Sequence, residues 1–238
     1  RTQRRNARTV LARQPISLAS ADQRKGRAGR TAPGLCLRLW GEQAPLQRVT
    51  PPEVVREPLT ELVLAAACAG QAVTQLAFPD PLPEEAVAQA HERLRGIGAL
   101  AADASVTQRG RQLFALPVDA WLAHLVVAMP DAETAGFMAD LAATLSAGRA
   151  PARLPADPDE RERLGDRLGR RCDALLQVAA LRGAELPGVR VDAVARREAG
   201  RLAAQLREAM GLPPSDNAVE PPAEAAARAV HAAAVAMP

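Results

Sequence analysis

Gln23-Arg24-Lys25-Gly26-Arg27-Ala28-Gly29-Arg30, continuing into Thr31-Ala32-Pro33-Gly34, is the stretch on which the reading of this sequence turns. Ser20 is a good helix N-cap, and Gln23 three residues later completes a capping-box pattern, so a helix is predicted from Ser20 onward. On that helix Gln23, Arg27 and Arg30 recur at i, i+4 and i+7 and share one face, while Arg24 and Lys25 point elsewhere. Gly26 and Gly29 each cost a helix about 1 kcal/mol relative to alanine, which close approach of another backbone or of a phosphate chain would justify. A face with two guanidiniums and an amide suits the charge that develops on a transferring γ-phosphoryl group. The competing reading is a basic arm that touches nucleic-acid backbone without fixed geometry. The regular Gln-Arg-x-Gly-Arg-x-Gly-Arg string argues against it.

The surrounding composition supports a phosphate-facing end. Residues 1–30 hold nine Arg or Lys against the single Asp22, a charge of about +8, whereas the whole chain of 238 residues carries +3. Only Lys25 among the 30 basic residues is a lysine. The rest are guanidinium forks, which meet phosphate oxygens in pairs. The chain is long enough for one large domain or two to three small ones. Its 48% hydrophobic share is mostly Ala, Leu and Val with 2% aromatic, a composition that favours packed helices. Cys36, Cys68 and Cys172 lack metal-ligand spacing and are expected as reduced, buried or partly buried thiols of a cytoplasmic protein. No signal peptide and no membrane-length apolar run is present. The start at Arg1, without Met, is expected of a piece of something longer.

Outward from the octet, residues 1–7 read as an extended or broken connection, Thr9-Val10-Leu11 as a strand, and Leu35–Trp40 as a second strand after the Pro33-Gly34 turn. Pro45 and Pro51-Pro52 mark a linker. Leu59, Leu62, Val63 and Ala66 form a helical stripe ending at Gly70, and Val87, Ala90, Leu94 and Ile97 form another behind Glu84-Glu85. A short hairpin then leads through Val106-Thr107 to Gly110, so two helices are followed by a small strand pair, as in a winged helix. Helical segments near Asp119–Met129, Ala132–Ala147, Asp157–Leu181 and Val191–Met210 should form a bundle. Pro213–Asn217 and Glu220-Pro221-Pro222 read as a linker before an Ala-rich helix, Ala223–Ala236.

Ile16–Thr31 closely resembles motif VI of the DEAH-box superfamily 2 RNA helicases, and the resemblance continues downstream. Leu82-Pro83-Glu84-Glu85-Ala86, Leu94-x-x-Ile97-Gly98-Ala99-Leu100 and Thr107-x-x-Gly110-Arg111 are similar to the family's winged-helix domain. Leu116-Pro117-Val118-Asp119 and Leu122-Ala123-His124-Leu125 are similar to the start of its ratchet-like bundle. The bacterial HrpB type is the most similar. The resemblance implies a mainly α chain in four parts. These are the C-terminal edge of a second RecA-like α/β domain (1–46), a winged helix (47–113), a ratchet-like helical bundle (114–212), and a linker with an Ala-rich helix (213–238).

It further implies that Gln23, Arg27 and Arg30 reach the γ-phosphate of ATP bound on a first RecA-like domain, with Arg24 holding the motif in place. Single-stranded or structured RNA, or DNA, would be gripped mainly through its backbone. The sequence departs from the family in having no Gly-x-Gly-Lys-Thr phosphate loop and no Asp-Glu-x-His run. ATP and its Mg²⁺ would then be held mainly by the domain this chain lacks, and the chain alone is expected to be inactive. The alternative is a stand-alone, non-enzymatic winged-helix module that binds nucleic acid.

Other polar positions have plainer readings. His91-Glu92 reads as a solvated helix face, His124 as a packed residue, and Asp157, Asp159, Glu160 and Glu162 as an acidic helix start favoured by the macrodipole. Trp40 and Trp121 read as core anchors. None of these positions suggests a metal.

Overall fold

The chain is mainly α, as its Ala-, Leu- and Val-rich composition predicts. The structure, a computed structural model, describes residues 2–5, 8–11, 15–41, 43–167, 173–184, 186, 188–215 and 223–236. Strands β1 (Thr2–Arg5) and β2 (Arg8–Leu11) form an antiparallel hairpin, with Thr2 opposite Leu11 and Arg5 opposite Arg8. The strand expected at Thr9–Leu11 is present, and its partner lies in the stretch expected to be a broken connection.

Helix α1 spans Leu18–Ala28. Its N-cap is Ser17 rather than Ser20, because Ser17 takes the extended conformation and its Oγ accepts from the Ser20 amide at 3.2 Å. The second strand expected at Leu35–Trp40 does not form. Residues 33–39 have no ladder partner among the described residues, and Leu35, Leu37 and Leu39 are 81%, 75% and 92% exposed. Alternating residues supply only one half of a strand. The other half is a neighbour to bond to.

After Pro51-Pro52 come α2 (Glu53–Arg56) and α3 (Thr60–Cys68), and Gly70 at φ +73° lets the chain leave α3 in the left-handed conformation. A 3₁₀ turn at Val73–Gln75 leads to α4 (Glu84–Gly96), whose expected face is buried at all four positions, Val87, Ala90, Leu94 and Ile97. The expected hairpin is a single antiparallel bridge between Leu100 and Val106. Its tip is fixed by Asp103, which accepts from the amide and hydroxyl of Ser105 and is held below the usual carboxylate range by those bonds. Ala104 at this tip has φ +63°. Ala104→Gly should therefore stabilise the chain by about 0.5–1 kcal/mol, the left-handed penalty less glycine's extra chain entropy, measured by urea unfolding.

Helix α5 (Gln108–Phe114) follows, capped by Thr107, and was not foreseen as a separate helix. Gly110 sits so close beneath the hairpin that a Cβ there would lie 2.2 Å from the Ala99 carbonyl oxygen. The bundle comprises α6 (Ala120–Val127), α7 (Ala132–Ser146), α8 (Pro158–Arg167), α9 (Asp173–Leu181) and α10 (Ala193–Ala209). Two strands of two residues each, β3 (Ala152–Arg153) and β4 (Arg190–Val191), pair antiparallel within it and were not expected. Helix α11 spans Ala223–Ala236 as expected; of the linker expected at Pro213–Asn217 and Glu220-Pro221-Pro222, residues 213–215 are in neither helix nor strand, and the rest lies outside the described residues.

Helix α7 is the hub. It packs against α6, α9, α10 and α11, and ten of its 15 residues are buried, so it has almost no solvent face. Its alanines and Gly136 allow neighbours to come close, and Phe137 and Met138 fill the remaining space. One continuous core runs from Leu59 to Ala229. It passes through Leu64, Leu94, Leu113, Leu122 and Leu206, so α3–α5 and the bundle share buried surface.

Candidate phosphate-contact site

Ser20, Gln23, Arg24 and Arg27 lie on one face of α1 and line a shallow cavity of about 470 Å³. Ser17, Ala19, Val49 and Thr50 complete its lining. Gln23 and Arg27 are thus brought together as expected. Arg24, expected to point elsewhere, joins them, because it falls one turn beyond Ser20. All three side chains are exposed, and among the described residues none has a hydrogen-bond or ion-pair partner. Asp22, the acid among these cations, pairs instead with Arg38.

Arg30 is not part of this cavity. Helix α1 ends at Ala28, and Arg30 lies exposed in the bend after Gly29, so the i+7 phase does not apply to it. Gly26 and Gly29 are open, with nothing within 4 Å of a Cβ added at either. The close backbone approach occurs instead at Gly34, where a Cβ would lie 2.0 Å from the Ala28 carbonyl oxygen, so the chain folds back tightly over the end of α1.

The helix is clamped at its other end by the strap 46–50. The amides of Leu18 and Ala19, which a helix leaves unpaired, donate to the carbonyls of Gln47 and Arg48 at 2.9 and 3.1 Å. Ser17, 1% exposed, accepts from the Thr50 hydroxyl at 3.1 Å and donates to Ser20 Oγ at 3.1 Å. The start of α1 is therefore closed to anions. The exposed guanidiniums and amide of α1 lie one to two turns further on, at Gln23, Arg24 and Arg27.

His124 is packed, as expected. It is 7% exposed and stacked on Trp121 with ring centroids 5.9 Å apart. Arg109 Nη2 lies 2.9 Å from its Nδ1, and because a guanidinium can only donate, Nδ1 is the acceptor. Nε2–H then donates to the Ala236 carbonyl at 3.0 Å, which ties α5, α6 and α11 together through one neutral ring. Burial lowers its pKa most, the Ala236 bond opposes this, and the Arg109 charge adds to the lowering. His91, whose buried Nδ1 has no partner among the described residues, is also lowered, by burial and then by Arg95.

A histidine kept neutral in the fold adds nothing above the unfolded pKa of about 6.5 and costs stability below it, where only the unfolded chain takes up the proton. Unfolding free energy should therefore fall between pH 7.5 and 5.5. It should fall less in His124→Gln, with His91 leaving a residual slope in the variant.

Trp121 is partly buried against the core, but Trp40 lies exposed at 36%, because the strand expected to anchor it does not form. Cys68 is half-buried and its thiol is pushed up by burial, against the opposing Arg111 charge. Cys36 is exposed, against expectation, on the same unpaired 33–39 segment, and Cys172 lies outside the described residues. Asp157, Asp159, Glu160 and Glu162 open α8 as exposed residues. No group of three or more His, Cys, Asp or Glu among the described residues could hold a metal.

Sequence reasoning missed Asp140. It is completely buried on α7 and takes a two-pronged contact from Arg207, with Nε to Oδ1 and Nη2 to Oδ2 both at 2.9 Å. Arg182 adds a bond to Oδ2 at 2.7 Å. Arg207 also donates to the carbonyls of Gly136 and Pro213. Beside this cluster is a cavity of about 730 Å³ with Arg197 and Arg201 among its lining residues. No local pattern marks such a cluster, since its partners are 42 and 67 residues from Asp140.

No protein-family model matches the chain. Two crystal structures of the Escherichia coli HrpB protein do match. The structure described as the DEAH/RHA helicase HrpB is 26% identical, with a TM-score of 0.54, and the match covers 72% of this chain and 24% of that one. The structure described as the DExH-box NTPase HrpB is also 26% identical, with a TM-score of 0.52, and covers 76% and 25%. The chain thus spans about a quarter of the length of the proteins it matches. No helix among the described residues is long and apolar enough to cross a membrane. Over roughly three quarters of its length, the chain is similar in sequence and in fold to a segment of these HrpB helicase structures.

Proposed function

We propose that the chain supplies the arginine half of a composite ATP site, and part of an RNA channel, in an ATP-dependent helicase. The observation that carries this is the α1 face itself, with Gln23 and Arg27 exposed, without a partner among the described residues, and lining one cavity. Guanidiniums left unpaired beside a cavity suit an external anion, and the open surfaces of Gly26 and Gly29 leave room for a phosphate chain or a second backbone. The chain itself has no phosphate loop. Bound ATP would bring the phosphoryl group and its Mg²⁺, held mainly by a partner RecA-like domain, while Arg27 neutralises charge and Gln23 orients polar atoms beside it. Arg24 adds a second guanidinium to the same face. Arg30 joins the site when the turn after Gly29 closes toward it.

We read α3, α4 and the Leu100–Val106 bridge as a winged helix (47–113), and α6–α10 as the ratchet-like bundle (114–212). Arg197 and Arg201, beside the cavity next to Asp140, support a backbone grip on RNA. The stand-alone nucleic-acid module is the weaker reading. Helix α4, which would enter a groove, opens with exposed Glu84 and Glu85, whose charge repels a phosphate backbone.

The test joins this chain to the nucleotide-binding part of an HrpB helicase and measures RNA-stimulated ATP hydrolysis. An unchanged rate in Arg27→Ala would sink the proposal.

A further inference from the structure

The clamp on α1 is continuous with a rigid path to the main core. Thr50 is followed by Pro51-Pro52, and Pro52 has φ −54° and ψ 155°, the polyproline conformation that resists bending. Arg56 Nε donates to the Pro51 carbonyl at 2.9 Å, so α2 is fastened to the same segment. Val54 on α2 packs against the core that holds Leu59, Val63 and Leu64. At the near end, Thr50 holds Ser17, and Ser17 caps the helix whose same face carries Ser20, Gln23, Arg24 and Arg27.

We propose that the strap 46–50 couples the core to the phosphate-contact face, with Thr50, acting through Ser17, as a positioning residue for Arg27. This rests on the ATP-site reading above. Ser17 and Arg27 are ten residues apart, about 15 Å along a helix rising about 1.5 Å per residue, so a small tilt at the cap becomes an ångström-scale shift at the guanidinium. A misplacement of about 1 Å can cost roughly 100-fold in rate, so the cap is a sensitive control point. Movement of the α2–α5 unit would pull on the strap and rotate α1. Ordering of that unit would seat Arg27.

The joined enzyme tests this through Thr50→Val, which removes the hydroxyl and keeps the shape, and Thr50→Ser, which keeps the hydroxyl. Thr50→Val should lower kcat about tenfold, within the range expected for positioning, with KM for ATP changed less than about threefold. The ratio of RNA-stimulated to basal hydrolysis should fall with it, and Thr50→Ser should restore both. In the chain alone, amide exchange at Leu18–Ala21 should quicken in Thr50→Val while α7 stays protected.

Normal kcat and RNA stimulation in Thr50→Val, alongside a large loss in Arg27→Ala, would overturn the coupling and leave the ATP-site reading standing. An equal fall of basal and stimulated rates, with faster exchange throughout the chain, would also overturn it, as general destabilisation. An unaffected Arg27→Ala enzyme would overturn both.

Discussion

Asp140→Ala is expected to lower the unfolding free energy by about 3–5 kcal/mol, the range for removing one partner of a buried ion pair. With the carboxylate gone, Arg207 at 6% exposure keeps its charge and loses the acceptor that takes two of its bonds. Arg182 loses its bond to the same oxygen. On the α7 side relaxation is limited, because α7 is enclosed by four other helices and a Cβ at Gly136 would already lie 3.0 Å from Arg207. Urea unfolding followed by helix signal measures the loss, and the melting temperature should drop by roughly 10 °C for a chain of this size. Pairing Asp140→Leu with Arg207→Met should recover part of the stability, since the most buried guanidinium is removed with its acceptor, while Arg182, 12% exposed, still loses its bond. A loss below about 1 kcal/mol in Asp140→Ala, the median value of a surface pair, would mean that the cluster is not closed to water.

Arg27→Ala carries the largest expected effect on activity. In the joined enzyme, RNA-stimulated ATP hydrolysis should fall roughly a thousandfold or more, the range seen when a phosphate-facing arginine is lost from an NTPase. Arg27→Lys should recover little, because an ammonium lacks the planar fork that holds two oxygens at once. The loss should appear mainly in kcat if the guanidinium meets charge that develops only in the transition state. Arg30→Ala should cost less than Arg27→Ala, since Arg30 stands outside the cavity and must first be brought in. Equal losses at the two positions would show that the turn after Gly29 closes fully during the reaction.

Local periodicity made part of this structure readable beforehand. Val87, Ala90, Leu94 and Ile97 are buried because a 3.6-residue repeat holds wherever the helix sits. The pairing of Gln23 with Arg27 follows from the same arithmetic. The start of α1 did not, since Ser17 is fixed partly by Thr50, 33 residues away. Phase counted from Gln23 places Arg24 elsewhere, whereas Ser20 and Arg27 bracket it on the cavity face. Leu35–Trp40 has the alternation of a strand but no ladder among the described residues, and a strand is a property of two segments. Asp140, in an Ala-rich helix, looks like a solvated charge until α9 and α10 are packed over it.

The clamp at Ser17 also has a mutational consequence. The strap's backbone bonds to Leu18 and Ala19 use carbonyls of Gln47 and Arg48, so most side chains could be exchanged there without loss. At positions 17 and 50 the 3.1 Å contact is made by the side chains, hydroxyl to hydroxyl. Drift in the strap should therefore be broad at 47 and 48 and narrow at 17 and 50, a pattern of tolerance that saturation mutagenesis can read directly.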